Sequence, residues 1–261
     1  MDKEQLHYDT MHIGFLEKLW GDGFMSPGGY GEVKRLLIDT NMSGSKVLDI
    51  GCGAGGITLS LVNDFDAKMV IGVDVEADVV EKAKTKVKKA SLDDQIKILL
   101  IGQGKLPFKA NTFDIVFSKD SIVHISNKEK IFNEVFRVLI PGGIFVFSDW
   151  LISHDQEPSP EMKYYLDLED LGFGMASPIV YEKSLRKSGF TSIEVRNRNS
   201  WYTNEARREL DILSGSDRRS YEKLTSQEFI NRQILTWKAM IKVLETGEHC
   251  PHHFRAIKPK L

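Results

Sequence analysis

From Lys46 to Asp149 short apolar runs alternate with amphipathic stretches. Lys46–Ile50, Met69–Val73, Ile96–Ile101, Phe113–Ser118 and Ile144–Ser148 read as buried strands. They are rich in β-branched residues and bounded by Gly, Asp or Pro. Between them Gly55–Phe65, Glu76–Ser91 and Asn127–Leu139 carry helical periodicity. Strands that alternate with helices predict an α/β fold, with a parallel sheet covered on both faces. Pro141-Gly142-Gly143 is expected to end the third of these helices sharply.

Ahead of the first strand Phe15, Leu16, Leu19 and Trp20 sit at helical spacing, and Gly28-Gly29 precedes a second amphipathic helix over Tyr30–Asp39. Beyond Trp150 the pattern changes. Helical stretches at roughly 159–171, 178–188, 203–215 and 218–246 surround one strand, Thr191–Arg196, and the alternation from His252 to Lys258 predicts a final strand. Three regions follow: residues 1–44 as N-terminal lid helices, 45–150 as the core, and 151–261 as the rest of the sheet with helical cap insertions.

Charge narrows the partners. There are 35 basic and 37 acidic residues, for a formal net charge of -2. Neither a nucleic-acid footprint nor a disordered acidic tail is expected from that balance. No apolar run approaches the roughly 20 residues needed to cross a bilayer. The N-terminus is polar and mixed in charge, unlike a signal peptide. Cys52 and Cys250 form no disulfide framework, which suits a reducing cytosol. A small-molecule substrate and a monomer or weak homodimer are the expectations.

Val47-Leu48-Asp49-Ile50-Gly51-Cys52-Gly53-Ala54-Gly55 is a strand that runs into a glycine-rich turn and then a helix. Glycine there lets the backbone approach a ligand closely. Asp74 ends the second strand about 20 residues on, where a carboxylate can accept ribose hydroxyls. A Rossmann dehydrogenase would share both features. The local pattern, however, resembles motif I of the class I S-adenosylmethionine methyltransferases. Leu106-Pro107-Phe108, Asn111-Thr112-Phe113-Asp114 and Arg137-Val138-Leu139 with Pro141-Gly142-Gly143 resemble later motifs of that superfamily. The resemblance implies a Rossmann-like, mostly parallel seven-stranded sheet with helices on both faces and a helical lid. It also implies S-adenosylmethionine as cofactor, held by Asp49, Gly51, Gly53, Gly55, Asp74, Val75, Gly102 and Gln103. Many members carry an acidic residue after the third strand for the adenine amino group. Here Ile101-Gly102-Gln103-Gly104 stands in its place, so the Gln103 amide oxygen or a backbone carbonyl would accept that bond.

Ser118-Lys119-Asp120-Ser121-Ile122-Val123-His124-Ile125 follows the fourth strand, at the carboxyl rim where open α/β sheets bind ligands. It resembles S-R-D-A/T-I-L-H-I/L of the phosphoethanolamine N-methyltransferases and the related sarcosine and dimethylglycine N-methyltransferases. Phe24-Met25-Ser26-Pro27-Gly28-Gly29, Phe147-Ser148-Asp149-Trp150 and Phe254-Arg255-Ala256-Ile257-Lys258 also resemble segments of that group. By this resemblance His124 is a motif histidine paired with a lid tyrosine, Tyr8, and Asp120 faces the substrate nitrogen. Lys119 stands where an arginine binds the cofactor carboxylate, as a point charge and not a bidentate fork. Met25 and Ser26 would contact the cofactor. An amine attacks only when neutral, and a histidine titrating near neutrality can take its proton.

In the same group an arginine and a tyrosine after the fifth strand and a lysine near the C-terminus hold the phosphate. Leu171, Phe173 and Met240 occupy those places here, beside Glu169 and Asp170. A dianion is not stabilised by apolar and acidic neighbours. The expected substrate is therefore a small amine or amino acid without a phosphate, with Trp150, Phe173 and Met240 lining its site. O- or C-methylation of a natural product or lipid precursor is an alternative, and so is phosphoethanolamine. A cofactor-binding module without catalysis is a third. Arg196, Arg198, Arg207 and Arg208 are expected as solvated surface charges, and His249-Cys250-Pro251-His252-His253 as part of a strand and not a metal site.

Overall fold

The structure is a computed structural model and describes residues 10–260. Its strands are β1 (Lys46–Ile50), β2 (Met69–Asp74), β3 (Ile96–Leu100), β4 (Phe113–Lys119), β5 (Leu139–Asp149), β6 (Thr191–Asn197) and β7 (His252–Ile257). They form one seven-stranded sheet in the order β3-β2-β1-β4-β5-β7-β6. β1 to β5 pair in parallel. β7 runs antiparallel to both of its neighbours. The order reverses beside β1, the switch point at which open α/β sheets leave a crevice at their carboxyl ends.

The helices are α1 (Thr10–Trp20), α2 (Gly29–Leu36), α3 (Gly56–Asn63), α4 (Ala77–Lys89), α5 (Lys128–Val138), α6 (Pro160–Glu169), α7 (Pro178–Lys187), α8 (Asn199–Ser214), α9 (Arg218–Glu222) and α10 (Gln227–Glu245). Side chains in a strand alternate between faces, so a strand buried on both sides feeds two cores. Val47, Ile115, Phe117 and Val146 join the core under α2, α3 and α4. Leu48, Val116, Phe145 and Phe147 join the opposite core under α5 and α7. Ser159-Pro160 and Ser177-Pro178 start α6 and α7. Each serine hydroxyl accepts an amide of the first turn, from Met162 at 3.1 Å and Val180 at 3.3 Å, and proline at the first helical position lacks only an N–H that would go unused.

A third apolar cluster joins α1, α6, α8, α9 and α10 over the carboxyl end of the sheet, and takes in Val123 and Trp150. At its centre the buried Glu209 carboxyl accepts the indole N–H of Trp20 at 2.6 Å and of Trp237 at 2.9 Å. Three elements, α1, α8 and α10, thus share one acceptor.

Three expectations need correction. The predicted helix of 218–246 is broken, because the Ser226 hydroxyl accepts the Phe229 amide at 3.0 Å and starts α10 afresh. The helix expected from 203 begins at Asn199, whose side-chain amide caps two carbonyls, of Leu244 and His249. Pro141-Gly142-Gly143 is not what stops α5. Leu139 is already extended and pairs with Phe113, so the Pro-Gly-Gly segment is an irregularity inside β5.

Candidate active site

Gly51, Gly53 and Gly55 all take positive φ, at 72°, 54° and 90°. A Cβ at Gly51 would lie 2.3 Å from the Ser121 Cβ, so only glycine lets the turn after β1 sit against the turn after β4. Asp74 fastens the turn from the other side: its Oδ2 accepts the Gly53 amide at 2.9 Å. Its Oδ1 accepts the amides of Val75 at 2.7 Å and Glu76 at 3.2 Å. Burial pushes the Asp74 carboxyl up, and these three amides pull against that. Oδ2 has one donor among the described residues and keeps an acceptor position for a hydroxyl. Val75 and Leu100 lie exposed beside it, apolar surface of the kind a purine ring would cover, and Gly102 and Gln103 are exposed just beyond. Asp49 sits below the turn, fully buried, and accepts the Thr58 hydroxyl at 2.6 Å, which braces α3 on β1. Burial pushes its carboxyl up to about 7, against the pull of the Thr58 bond.

Asp120 follows β4 with a positive φ of 54°. Its carboxylate is held from three sides. Oδ1 accepts the Ser148 hydroxyl at 2.7 Å, and Oδ2 accepts Lys119 Nζ at 2.6 Å and the Tyr202 hydroxyl at 3.3 Å. Lys119 is buried and also donates to the Pro27 carbonyl at 3.2 Å. The lysine expected at the cofactor carboxylate therefore links Asp120 to the turn at Ser26-Pro27 in this structure. Burial and the Asp120 charge keep the Tyr202 phenol well above its ordinary range, so it stays a donor.

His124 ends a single 3₁₀ turn, Ile122–His124. Buried groups hold that turn from below. Lys128 Nζ donates to the carbonyls of Ile122 and Ile125, both at 2.7 Å, and burial lowers its ammonium to about 8. Asp149, at the end of β5, accepts the Val123 amide at 3.0 Å and the Tyr181 hydroxyl. Burial pushes that carboxyl up to about 7, while the Lys128 charge draws it down. The His124 ring is exposed, with Nδ1 at 3.1 Å from the Leu171 carbonyl. A carbonyl only accepts, so Nδ1 carries the proton and Nε2 is the basic atom. The Phe173 ring lies 5.3 Å from the His124 ring, and Trp150 lies 5.8 Å from Phe173. Met240 is buried in the same cluster as Trp150. Tyr8 lies outside the described residues.

The elements thus bring Asp120, His124, Lys119, Trp150 and Phe173 to one end of the sheet, with the glycine turn and Asp74 beside them. Sequence reasoning missed Tyr202, Ser148, Lys128 and the role of Asp149. Of these, Ser148 and Asp149 left a signal, within Phe147-Ser148-Asp149-Trp150. Arg198 is also corrected: it is no solvated charge but grips the fully buried Glu32 of α2 with two bonds of 2.9 Å. His253 Nε2 lies 2.8 Å from the same carboxylate. Burial pushes Glu32 up, but His253 and Arg198 outweigh it and hold the group below its ordinary range. His249 and His252 turn Nδ1 to the carbonyls of Leu151 and Cys250, at 3.0 and 2.7 Å. Among the described residues no helix is long and apolar enough to cross a membrane.

Known proteins share this fold. The chain is 27% identical over 246 residues, 94% of its length, to phosphoethanolamine N-methyltransferase 3 of Arabidopsis thaliana, and covers 49% of that protein. It spans about half the length of the curated relatives it matches. Phosphoethanolamine N-methyltransferase 2 of Haemonchus contortus, solved with phosphomonomethylethanolamine and S-adenosylhomocysteine, superposes with a TM-score of 0.90 at 26% identity, over 98% of this chain and 59% of that one. A Galdieria sulphuraria protein assigned as a sarcosine dimethylglycine methyltransferase shares the fold, with a TM-score of 0.82 at 21% identity, over 97% of this chain and 100% of that one. A family model for the methyltransferase domain matches residues 41–172, from just ahead of β1 to the segment that packs on His124, and the chain is therefore a member of the methyltransferase domain family.

Proposed function

We propose that this chain is an S-adenosylmethionine-dependent N-methyltransferase of a small-molecule amine. The observation that carries the reading is the rim itself: a fixed carboxylate, Asp120, and a histidine with its basic Nε2 stand together at the carboxyl ends of β4 and β5, beside a turn suited to a nucleoside. When bound, the cofactor supplies an electrophilic methyl group on a sulfonium. The chain's part is positioning and proton handling. Gly51, Gly53 and Gly55 give close backbone approach, and Asp74 Oδ2 takes a ribose hydroxyl. Asp120, locked by Ser148, Lys119 and Tyr202, orients the amine and offsets charge that grows on its nitrogen. His124 Nε2 takes the proton of a primary or secondary amine. Holding the nucleophile in line supplies much of the acceleration. α1 and the cap of α6, α8, α9 and α10 close over the site as a lid, and Tyr8 would add the tyrosine that the resemblance places over the methyl group. Cys52 and Cys250 are both free thiols, buried, as suits a reducing cytosol.

The relatives favour a second reading, phosphoethanolamine as the acceptor, since their names and one bound ligand point to it. Against it, Leu171 and Phe173 stand directly on His124, where that group places phosphate ligands. The deciding experiment assays phosphoethanolamine beside glycine, sarcosine, dimethylglycine and simple amines, followed by S-adenosylhomocysteine release. Turnover of an amine without phosphate, weakened by Asp120→Asn, supports the first reading. Efficient turnover of phosphoethanolamine alone establishes the second. Release with none of these but with phenols or activated carbons would refute both.

A further inference from the structure

The wall that faces His124 is a file of rings. Phe173 lies 5.3 Å from His124, Trp150 5.8 Å from Phe173, His249 5.2 Å from Trp150, and Tyr165 5.6 Å from His249. Burial lowers His249 to about 4, and its Nδ1 is given to the Leu151 carbonyl, so this ring is neutral too. Among the described residues, the cations nearest the rim are already matched. Lys119 holds Asp120 and the Pro27 carbonyl, Lys128 holds carbonyls of the 3₁₀ turn, and Arg198 holds Glu32. One polar atom stands out. The Trp150 side chain is 9% exposed, and its Nε1 is buried with no hydrogen-bond partner among the described residues. Buried donors are nearly always paired, and indole Nε1 can only donate.

We propose that the acceptor substrate is an amine with an uncharged, apolar or aromatic body that carries one neutral oxygen, and that the Trp150 N–H donates to this oxygen. This deepens the amine reading of the same rim and rests on it. The amine end meets Asp120 and His124, and the body lies along Phe173 and Trp150. A single neutral N–H suits a hydroxyl, ether or carbonyl oxygen. It cannot offset a dianion, for which charged donors are needed.

Tyramine, 2-phenylethylamine and phosphoethanolamine are the probes. Their binding to the full chain with S-adenosylhomocysteine is measured by calorimetry, and methyl transfer is measured separately. Tyramine is expected to bind tightest, and Trp150→Phe, which keeps a ring and removes the donor, is expected to cut the preference for tyramine over 2-phenylethylamine by about threefold to tenfold. Tightest binding of phosphoethanolamine overturns the proposal. So does failure of both arylalkylamines to bind, or a preference unchanged by Trp150→Phe. The expected order of binding without any methyl transfer supports the body assignment and refutes N-methylation instead, which keeps the two readings apart.

Discussion

Asp149 accepts the backbone amide of Val123 at 3.0 Å, which fastens the end of β5 to the turn that presents His124. Lys128 completes the hold through the carbonyls on either side of that amide. Neither side chain has to touch a substrate to matter, since small misplacements of reacting groups are expensive. Lys128→Met should lower kcat by about 10²-fold, the scale of a displacement near 1 Å. Affinity for S-adenosylhomocysteine should stay the same, because the glycine turn and Asp74 are on other strands. Lys128→Arg should recover part of the rate. Equal kcat in Lys128→Met and wild type would show that the turn needs no such support.

Removal of the Asp74 carboxylate takes away a charged acceptor. Asp74→Ala should weaken cofactor binding by about 1.5–3 kcal/mol. Calorimetry on the folded variant checks this. Unchanged affinity would mean that the nucleoside is held elsewhere.

His124 offers a sharper chemical test. A general base contributes about 10²–10⁴-fold, so His124→Ala should reduce turnover of primary and secondary amines by that order. A tertiary amine leaves no proton to remove after attack and should lose less. If both classes fall alike, His124 is a wall of the site and not its base.

The Glu209 carboxyl links pH to stability. Burial pushes it from 4.5 up to about 7, against the pull of the Trp237 and Trp20 indoles. A carboxyl raised in the folded state contributes stability that is full below its unfolded pKa and is lost as pH rises through the folded one. On that shift Glu209 alone removes about 3 kcal/mol between acid and neutral pH. Glu209→Gln should flatten this part of the decline in melting temperature from pH 5 to 8, though it starts lower because one indole loses its acceptor. Parallel curves for variant and wild type would contradict the assignment.

Arg198→Met leaves Glu32 charged and buried without its fork. A loss of about 3–5 kcal/mol is expected, and Glu32→Gln in the same chain should restore much of it. Denaturant unfolding of the two single variants and the double measures the coupling. Strict additivity would mean that the pair is solvated after all.

The sheet was legible because its signals are local. Five of its strands lie in runs bounded by Gly, Asp or Pro, and the glycines after β1 announce the turn by themselves. His124 and Asp120 could be read as candidates for the same reason, being four residues apart in one segment. Tyr202 was not legible, because it reaches Asp120 from 82 positions away and looks like any helical tyrosine. Arg198 was misread because a single arginine has the same local pattern whether it meets water or a buried glutamate 166 positions earlier. The break at Ser226 lay within one continuous helical periodicity, where a serine cap weighs little against the apolar spacing on both sides.

The position of β7 also bears on the order of assembly. β6 reaches the rest of the sheet only through β7, since Val195 pairs with Phe254, which in turn pairs with Phe147. During synthesis residues 191–197 therefore leave the ribosome before their native partner strand exists, and wait for a segment made some 60 residues later, on the order of 3–12 s at ordinary elongation rates. Through that interval the β5 edge, with Phe145 and Phe147, is open to other strands. A nascent chain stalled before residue 252 should hold the β1–β5 nucleus as a protease-resistant fragment, yet recruit holdase chaperones to that edge.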